Sequence, residues 1–211
     1  MEGNYVITIG RAFGAGGREL GRLLADKLGI DYYDKELLSH AASHAGMSKA
    51  IFEKNDERAP GILSGLAPLS MGYNPLAWYT GPGGASGETV YRAQGDFIRR
   101  VASAGPCVIV GRTADYVLRD NPRTLNIFLH APEDVCIDRI MRRGDCKDRD
   151  KARATLRKTN RLRAEFYNFY TDRSWGNAGT YHLTIDSSAM PMEDTADFII
   201  DYLGKFLKSN K

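Results

Sequence analysis

From Tyr5 to Gly10 the chain reads YVITIG, a continuous apolar run closed by glycine, which predicts a strand buried on both faces. The next segment, GRELGRLLADKLG, places Leu20, Leu23, Leu24 and Leu28 at helical spacing, with Gly29 where a helix-ending glycine belongs. IDYYD (Ile30 to Asp34) then reads as a second strand, so the first 34 residues form a βαβ pattern. Three further strand-like runs follow: CVIVG (Cys107 to Gly111), LNIFLH (Leu125 to His130) and YHLTID (Tyr181 to Asp186). Helical segments fall near Thr89–Ala104, Ala114–Leu118, Pro132–Arg143 and Glu193–Leu207. Alternating strands and helices predict one α/β domain spanning residues 1–211, with a doubly wound five-stranded parallel sheet. Such a sheet binds ligands beyond the carboxyl ends of its strands, where Gly10, Asp34, Gly111, His130 and Asp186 fall.

One stretch breaks the rhythm. Ala59 to Gly87 is rich in glycine and proline and ends in YTGPGGASG (Tyr79 to Gly87). A structureless run of this length in a small domain is commonly a functional flap, so residues 57–90 read as a flexible insertion on the substrate side. No internal repeat is visible. At 43% hydrophobic and 26% charged the chain has a globular composition, and no apolar run approaches the roughly 20 residues that span a bilayer. MEGNYVITIG lacks the basic start and apolar stretch of a signal peptide, which points to the cytoplasm. Cys107, Cys136 and Cys146 match no zinc or redox spacing, and His40 and His44, four apart, have no HExxH pattern around them. No metal-ligating set is expected from the protein.

Charge adds a local feature. Residues 139–163 hold eleven Lys/Arg against three Asp, a net of +8, in a chain whose total is +3; the remainder is therefore about −5. Arg153, Arg157 and Arg161 recur every four residues and share a helix face, where like charges repel. An anion or an acidic surface should lie opposite. Arg139, Arg142 and Arg143 form a second cluster before the polar turn RGDCKDRD (Arg143 to Asp150). Two such clusters flanking a turn predict a basic, helical lid that closes over phosphates.

The candidate chemistry sits in GRAFGAGGREL (Gly10 to Leu20). A phosphate loop reads G-x-x-x-x-G-K-[S/T]: backbone amides wrap the phosphates, the lysine reaches the transferred group and the hydroxyl holds magnesium. With Gly16 on the second glycine, the first glycine position holds Arg11, the lysine position Gly17 and the hydroxyl position Arg18. The context nevertheless suits an anion, because a glycine-rich turn follows a strand and opens a helix. Arg18 then supplies charge that the lysine would have carried. Arg112, in VGRTADYVL, and Asp34, which also suits a helix cap, lie past strand ends on the same edge.

Together ITIGRAFGAGGRELGRLLADKLGIDYYDKELL, CVIVGRTADYVL, NIFLHAPEDVCIDRIMRR and HLTIDSS resemble the cytidylate kinase-like family, a branch of the P-loop nucleoside monophosphate kinases. The match runs along nearly the whole chain and is weakest over residues 57–87. The resemblance implies a P-loop NTPase fold, ATP with Mg2+, and phosphorylation of a small nucleotide such as CMP or dCMP. It implies ATP or phosphate contacts from Phe13, Gly14, Ala15, Gly16, Gly17, Arg18, Glu19 and Arg143, and acceptor contacts from Asp34 and Arg112. It gives the catalytic charges to Arg18, Arg161 and Arg163. The chain departs from true cytidylate kinases at Gly17 and Arg18, at Thr113 where GRD has its aspartate, and at Asn160 where the lid often has an acid. Two readings stay open, a working kinase and a nucleotide-binding sensor without turnover. Nucleic-acid binding through residues 139–163 is a remote third, since the net charge is only +3. Small-molecule nucleotides are the expected partners, and the oligomeric state is not legible.

Overall fold

The computed structural model of the protein describes residues 3–34 and 87–210. The helix expected to follow Asp34, the His40–His44 pair and residues 57–86 of the glycine-rich insertion lie outside them. The described elements run β1 (Val6–Arg11), α1 (Gly17–Leu28), β2 (Asp31–Tyr33), α2 (Gly87–Ala104), β3 (Cys107–Val110), α3 (Ala114–Val117), β4 (Thr124–His130), α4 (Glu133–Arg142), α5 (Arg149–Thr171), a 3-10 turn (Ala178–Thr180), β5 (Leu183–Asp186) and α6 (Met192–Ser209).

The five strands form one parallel sheet in the order β2-β3-β1-β4-β5, as their alternation with helices predicts. Strand geometry sends alternate side chains to opposite faces. On one face Ile7, Ile9, Val108, Val110, Leu125 and Ile127 pack with Leu20 and Leu24 of α1, Ile137 of α4 and Ile199 of α6. On the other, Val6, Cys107 and Ile109 pack with Ile98 of α2 and Val117 of α3. Each fully buried aliphatic side chain contributes roughly 1.5–3 kcal/mol against the entropy of ordering the chain. Thr8 is buried on the second face, and its hydroxyl donates to Asn126 Oδ1 at 2.7 Å, which removes the cost of an unpaired polar group. Burial also pushes the Cys107 thiol up to about 12, so it stays protonated in the core.

Most element ends fall within two residues of the expectation, and two features depart from it. Leu183 rather than Tyr181 opens β5, because the Tyr181 ring turns in to meet Phe128 at 5.0 Å between centroids. Helix α5 is much longer than the arginine spacing alone indicates, running 23 residues to Thr171. Arg153 and Arg157, though not Arg161, face an acidic surface as the spacing requires: both reach Glu133, at 3.2 and 3.0 Å, and Arg149 beside them bonds Asp138 and Asp134. All three acids belong to α4, whose first turns are too far back in sequence to register as local partners. Arg157 holds Glu133 below the ordinary carboxylate range. These pairs are exposed and weaken with salt, but they lay α5 along α4 and aim its second half at the carboxyl edge of the sheet.

Candidate functional site

The turn from β1 into α1 is closely packed against its neighbours. A Cβ on Gly14 would lie 2.6 Å from the Cys136 carbonyl oxygen and 2.9 Å from Cys136 Cβ on α4. A Cβ on Gly16 would lie 2.6 Å from Met192 Cε at the start of α6. Both residues also hold positive φ, 80° and 89°, which glycine adopts without steric cost. The turn is pinned from β5 as well. Ser187 Oγ donates to the Ala15 carbonyl at 2.7 Å, and Arg139 donates to the same carbonyl at 3.2 Å while holding the Ser187 carbonyl at 2.8 Å. Arg139 therefore shapes the loop from beneath. The amides of Gly17, Arg18 and Glu19 open α1, where helix geometry provides no acceptor and the dipole favours an anion. Glycine cradle and helix start together fit a polyphosphate. Among the described residues no group of three or more His, Cys, Asp or Glu gathers as a metal cage.

Helix α5 closes on this loop. Asn160 Oδ1 accepts the Phe13 amide at 2.7 Å, and Arg163 donates to the Arg11 carbonyl at 3.2 Å. The Arg163 and Arg143 guanidinium carbons stand 5.6 and 5.5 Å from the Phe13 ring centroid, within cation–π range. Phe13 is thus the point where Arg143, from the cluster before the polar turn, and Arg163, farther along α5, both meet the loop. Arg161 lies apart from it, with its side chain 67% exposed and 3.7 Å from Glu165.

Next to the loop, at the ends of β1 and β3, lies a cleft lined by Arg11, Arg112 and Arg163 and walled by Phe166, Tyr167, Trp175 and Tyr181. Arg112 is buried rather than a surface arginine, and both it and Thr113 hold left-handed backbone, at φ 62° and 52°. Strain of this kind in non-glycine residues persists where the surroundings enforce it, commonly at ligand sites. The Thr113 hydroxyl, which stands in for an aspartate, donates to the Arg112 carbonyl at 2.6 Å and so fixes the kink. Asp115 also lines the cleft, buried, with the Tyr167 hydroxyl donating to its Oδ2 at 2.6 Å. Burial raises the Asp115 carboxyl and the Tyr167 bond opposes that rise; burial likewise raises the phenols of Tyr167 and Tyr181.

The remaining sequence-predicted residues sit to one side. Asp34 is buried past β2, 3.3 Å from the Tyr32 hydroxyl. Arg18 has a half-exposed side chain with Nε 4.0 Å from Asp34 Oδ2, and Glu19 is exposed. The structure brings Arg112 and Arg163 into one cleft and sets Arg18 and Asp34 together on the β2 side. Sequence reasoning passed over Arg11, Asp115, Tyr167 and Tyr181. For Arg11 a signal was present, since it replaces the loop's first glycine just where the loop's lysine is lost. For the Asp115–Tyr167 pair there was none, because the partners are 52 residues apart.

Two outcomes follow for this geometry. Gly14→Ala drives a methyl into Cys136 and is expected to cost about 1–3 kcal/mol of stability and to weaken ATP binding, as read by denaturant titration and calorimetry. Tyr167→Phe is expected to cost about 1–3 kcal/mol, most where Asp115 is ionised, because it removes the side-chain donor to a buried carboxyl and leaves that carboxyl only its backbone bonds. The folded-state carboxyl of Asp115 lies above its unfolded value, so Asp115 favours the fold most when protonated and loses that contribution as pH rises through the window above the unfolded value. The penalty of Tyr167→Phe should therefore shrink when unfolding is measured at acidic pH; an equal penalty at both would separate the pair energetically.

Comparison with known proteins agrees with this architecture. No curated protein matches the sequence significantly. A crystal structure of an uncharacterized protein from Eubacterium ventriosum is 26% identical, covers 95% of this chain and 98% of its own, and superposes with a TM-score of 0.69. A shikimate kinase from Acinetobacter baumannii, solved with shikimate, shares the fold at 18% identity, 97% and 95% coverage and a TM-score of 0.53. The APS kinase CysC from Mycobacterium tuberculosis, solved with AMPPNP and APS, does so at 15% identity, 95% and 98% coverage and a TM-score of 0.52. The sequence pattern of the cytidylate kinase-like family matches residues 6–189, most of the chain. With its five parallel strands, glycine-rich turn and arginine-lined cleft, the chain belongs to the cytidylate kinase-like family.

Proposed function

We propose that the protein is an ATP-dependent phosphotransferase whose acceptor is a nucleoside monophosphate of the CMP or dCMP kind. The observation that carries this reading is the adjacency of two anion sites. The loop and α1 start offer backbone amides, and the cleft beside them offers Arg11, Arg112 and Arg163. A donor triphosphate on the loop and an acceptor phosphate in the cleft would meet at the end of β1. Phosphoryl transfer needs little covalent help from the protein; it needs alignment and neutralised charge. Arg112 suits the acceptor phosphate, since its buried, strained backbone fixes where the guanidinium stands. Asp34 lies on the acceptor side of the sheet, past β2. Phe13 to Glu19 with Arg143 and Arg163 hold the donor, and Arg18 and Arg161 are the remaining charges within reach of a closed state. Residues 139–163 act as the lid, and residues 57–90 as the acceptor-side flap. The substrates are dissolved small molecules met in the cytoplasm. Among the described residues no helix is long and apolar enough to cross a membrane.

One observation favours the second reading, a nucleotide sensor without turnover. The Phe13 amide, which a phosphate would otherwise use, is capped by Asn160. Incubation with ATP, Mg2+ and a panel of nucleoside monophosphates and other small acceptors separates the two. Acceptor-dependent ADP formation identifies the kinase, and tight ATP binding without ADP the sensor. Within the kinase reading, Arg112→Ala should raise the acceptor KM about tenfold or more with little change in the ATP KM, as expected for one lost charged hydrogen bond. Equal effects on both substrates would move Arg112 out of the acceptor site.

A further inference from the structure

The lysine position of the loop holds glycine, and the structure shows what fills the space. A Cβ on Gly17 would lie 2.8 Å from Arg11 Cγ, 2.9 Å from Arg11 Cβ and 3.5 Å from Arg11 Cδ. The Arg11 stem therefore lies across the first residue of α1, in the room a lysine stem leaving position 17 would need. Its head ends against a second glycine. A Cβ on Gly111, past the end of β3, would meet Arg11 Nη1 head-on and lie 2.9 Å from Cζ and 3.2 Å from Nη2. Gly17 and Gly111 thus form the two walls of a slot that fits the Arg11 side chain from stem to guanidinium. Close-packed interiors do not leave such a slot by chance on both sides of one long side chain. The slot opens on the cleft that Arg112 and Arg163 share, and Arg163 fixes the Arg11 backbone through its carbonyl at 3.2 Å.

We propose that Arg11 replaces the missing lysine, so that the charge meeting the transferred phosphoryl group has moved from the first turn of α1 to the last residue of β1. The glycine at position 17 is then a requirement of that exchange. The proposal rests on the phosphotransferase reading and adds to it which side chain bridges donor and acceptor. A guanidinium suits the place because its planar fork binds two phosphate oxygens at once. Arg11 forms no bond and gives up no proton in this role. The bond that breaks and the bond that forms are both phosphorus–oxygen bonds of the two substrates.

The exchange can be run backwards. Arg11→Gly together with Gly17→Lys restores a glycine separated by four residues from Gly16 and a lysine directly after it, the spacing of the common phosphate loop. ATP and AMP affinities of the full-length chain are measured by calorimetry, with a melting curve for each variant and ADP formation as a parallel readout. Arg11→Ala should weaken ATP binding about 10- to 100-fold and AMP binding by less than about threefold, since the lost contact is to the outer phosphates. Arg11→Lys, which keeps the charge and the stem but not the fork, should fall between. Gly17→Lys alone should weaken ATP binding by colliding with the Arg11 stem. The double variant should bind ATP at least about tenfold more tightly than Arg11→Gly, a coupling that additive effects cannot give. If Arg11→Ala and Arg11→Lys leave the ATP-to-AMP ratio unchanged, or if the double variant is no better than Arg11→Gly, the proposal is overturned. It is equally overturned if Arg18→Ala, and not Arg11→Ala, removes the preference for ATP. Wild-type protein that binds no ATP would overturn the phosphotransferase reading itself, whereas a wild type that binds ATP but ignores Arg11 sinks this inference alone.

Discussion

The structure depends on how closely the β1–α1 turn approaches its neighbours. Three glycines in four positions bring backbone within van der Waals reach of Cys136 on α4, Met192 on α6 and the Arg11 side chain. Any Cβ at Gly14, Gly16 or Gly17 would meet one of them below 3 Å. That closeness decides several things at once. It seats α4 and α6 against the loop, exposes the first amides of α1, and leaves a single path for the side chain at position 11. The Arg139–Ser187–Ala15 bonds then tie the same turn to the end of β5, so the loop is fastened from strands and helices alike.

A turn held so firmly is suited to electrostatic work, because dipoles that need not reorganise stabilise charge more effectively than mobile ones. The parts around it are fastened differently. Helix α5 meets α4 through exposed ion pairs, which are individually weak and sensitive to salt, and through Ala152 and Leu156, buried in one apolar cluster with Ile137 and Ile140. It touches the loop through an amide cap at Phe13, the Arg163 bond to the Arg11 carbonyl, and a guanidinium over the Phe13 ring. The turn thus lies beside a helix that is itself anchored in the core, by Ala152 and Leu156 in its first half and by Phe166 and Tyr167 in its second. The arrangement fits a protein that has to admit two anionic substrates and then exclude water.

Much of the fold was legible because its signals are local. Apolar β-branched runs, glycine after the first helix and the return of the pattern at Cys107, Leu125 and Tyr181 are all read from neighbouring residues. The four-residue arginine spacing required an acidic surface, and Glu133 provides it for Arg153 and Arg157, while Arg161 turns to Glu165 on its own helix. The site was only partly legible. The strand-end rule located Arg112, but its burial, and the left-handed backbone shared with Thr113, depend on how α2 and α3 cover the second face. Arg11 was visible as a departure from a pattern, yet its path between Gly17 and Gly111 is set by residues 6 and 100 positions away. Tyr167 and Asp115 meet only because α5 runs to Thr171, well beyond the arginines that first mark it.

Everything proposed for catalysis turns on whether the side chain at the end of β1 faces the phosphates. The most direct measurement is a crystal structure with a non-hydrolysable ATP analogue and the best acceptor from the panel. The triphosphate is expected on the amides of Gly17 and Arg18, with the Arg11 guanidinium about 2.7–3.2 Å from oxygens of its outer phosphates and still lying between the two glycines. An Arg11 turned away from the nucleotide, with Arg18 or no cation in its place, would contradict that expectation.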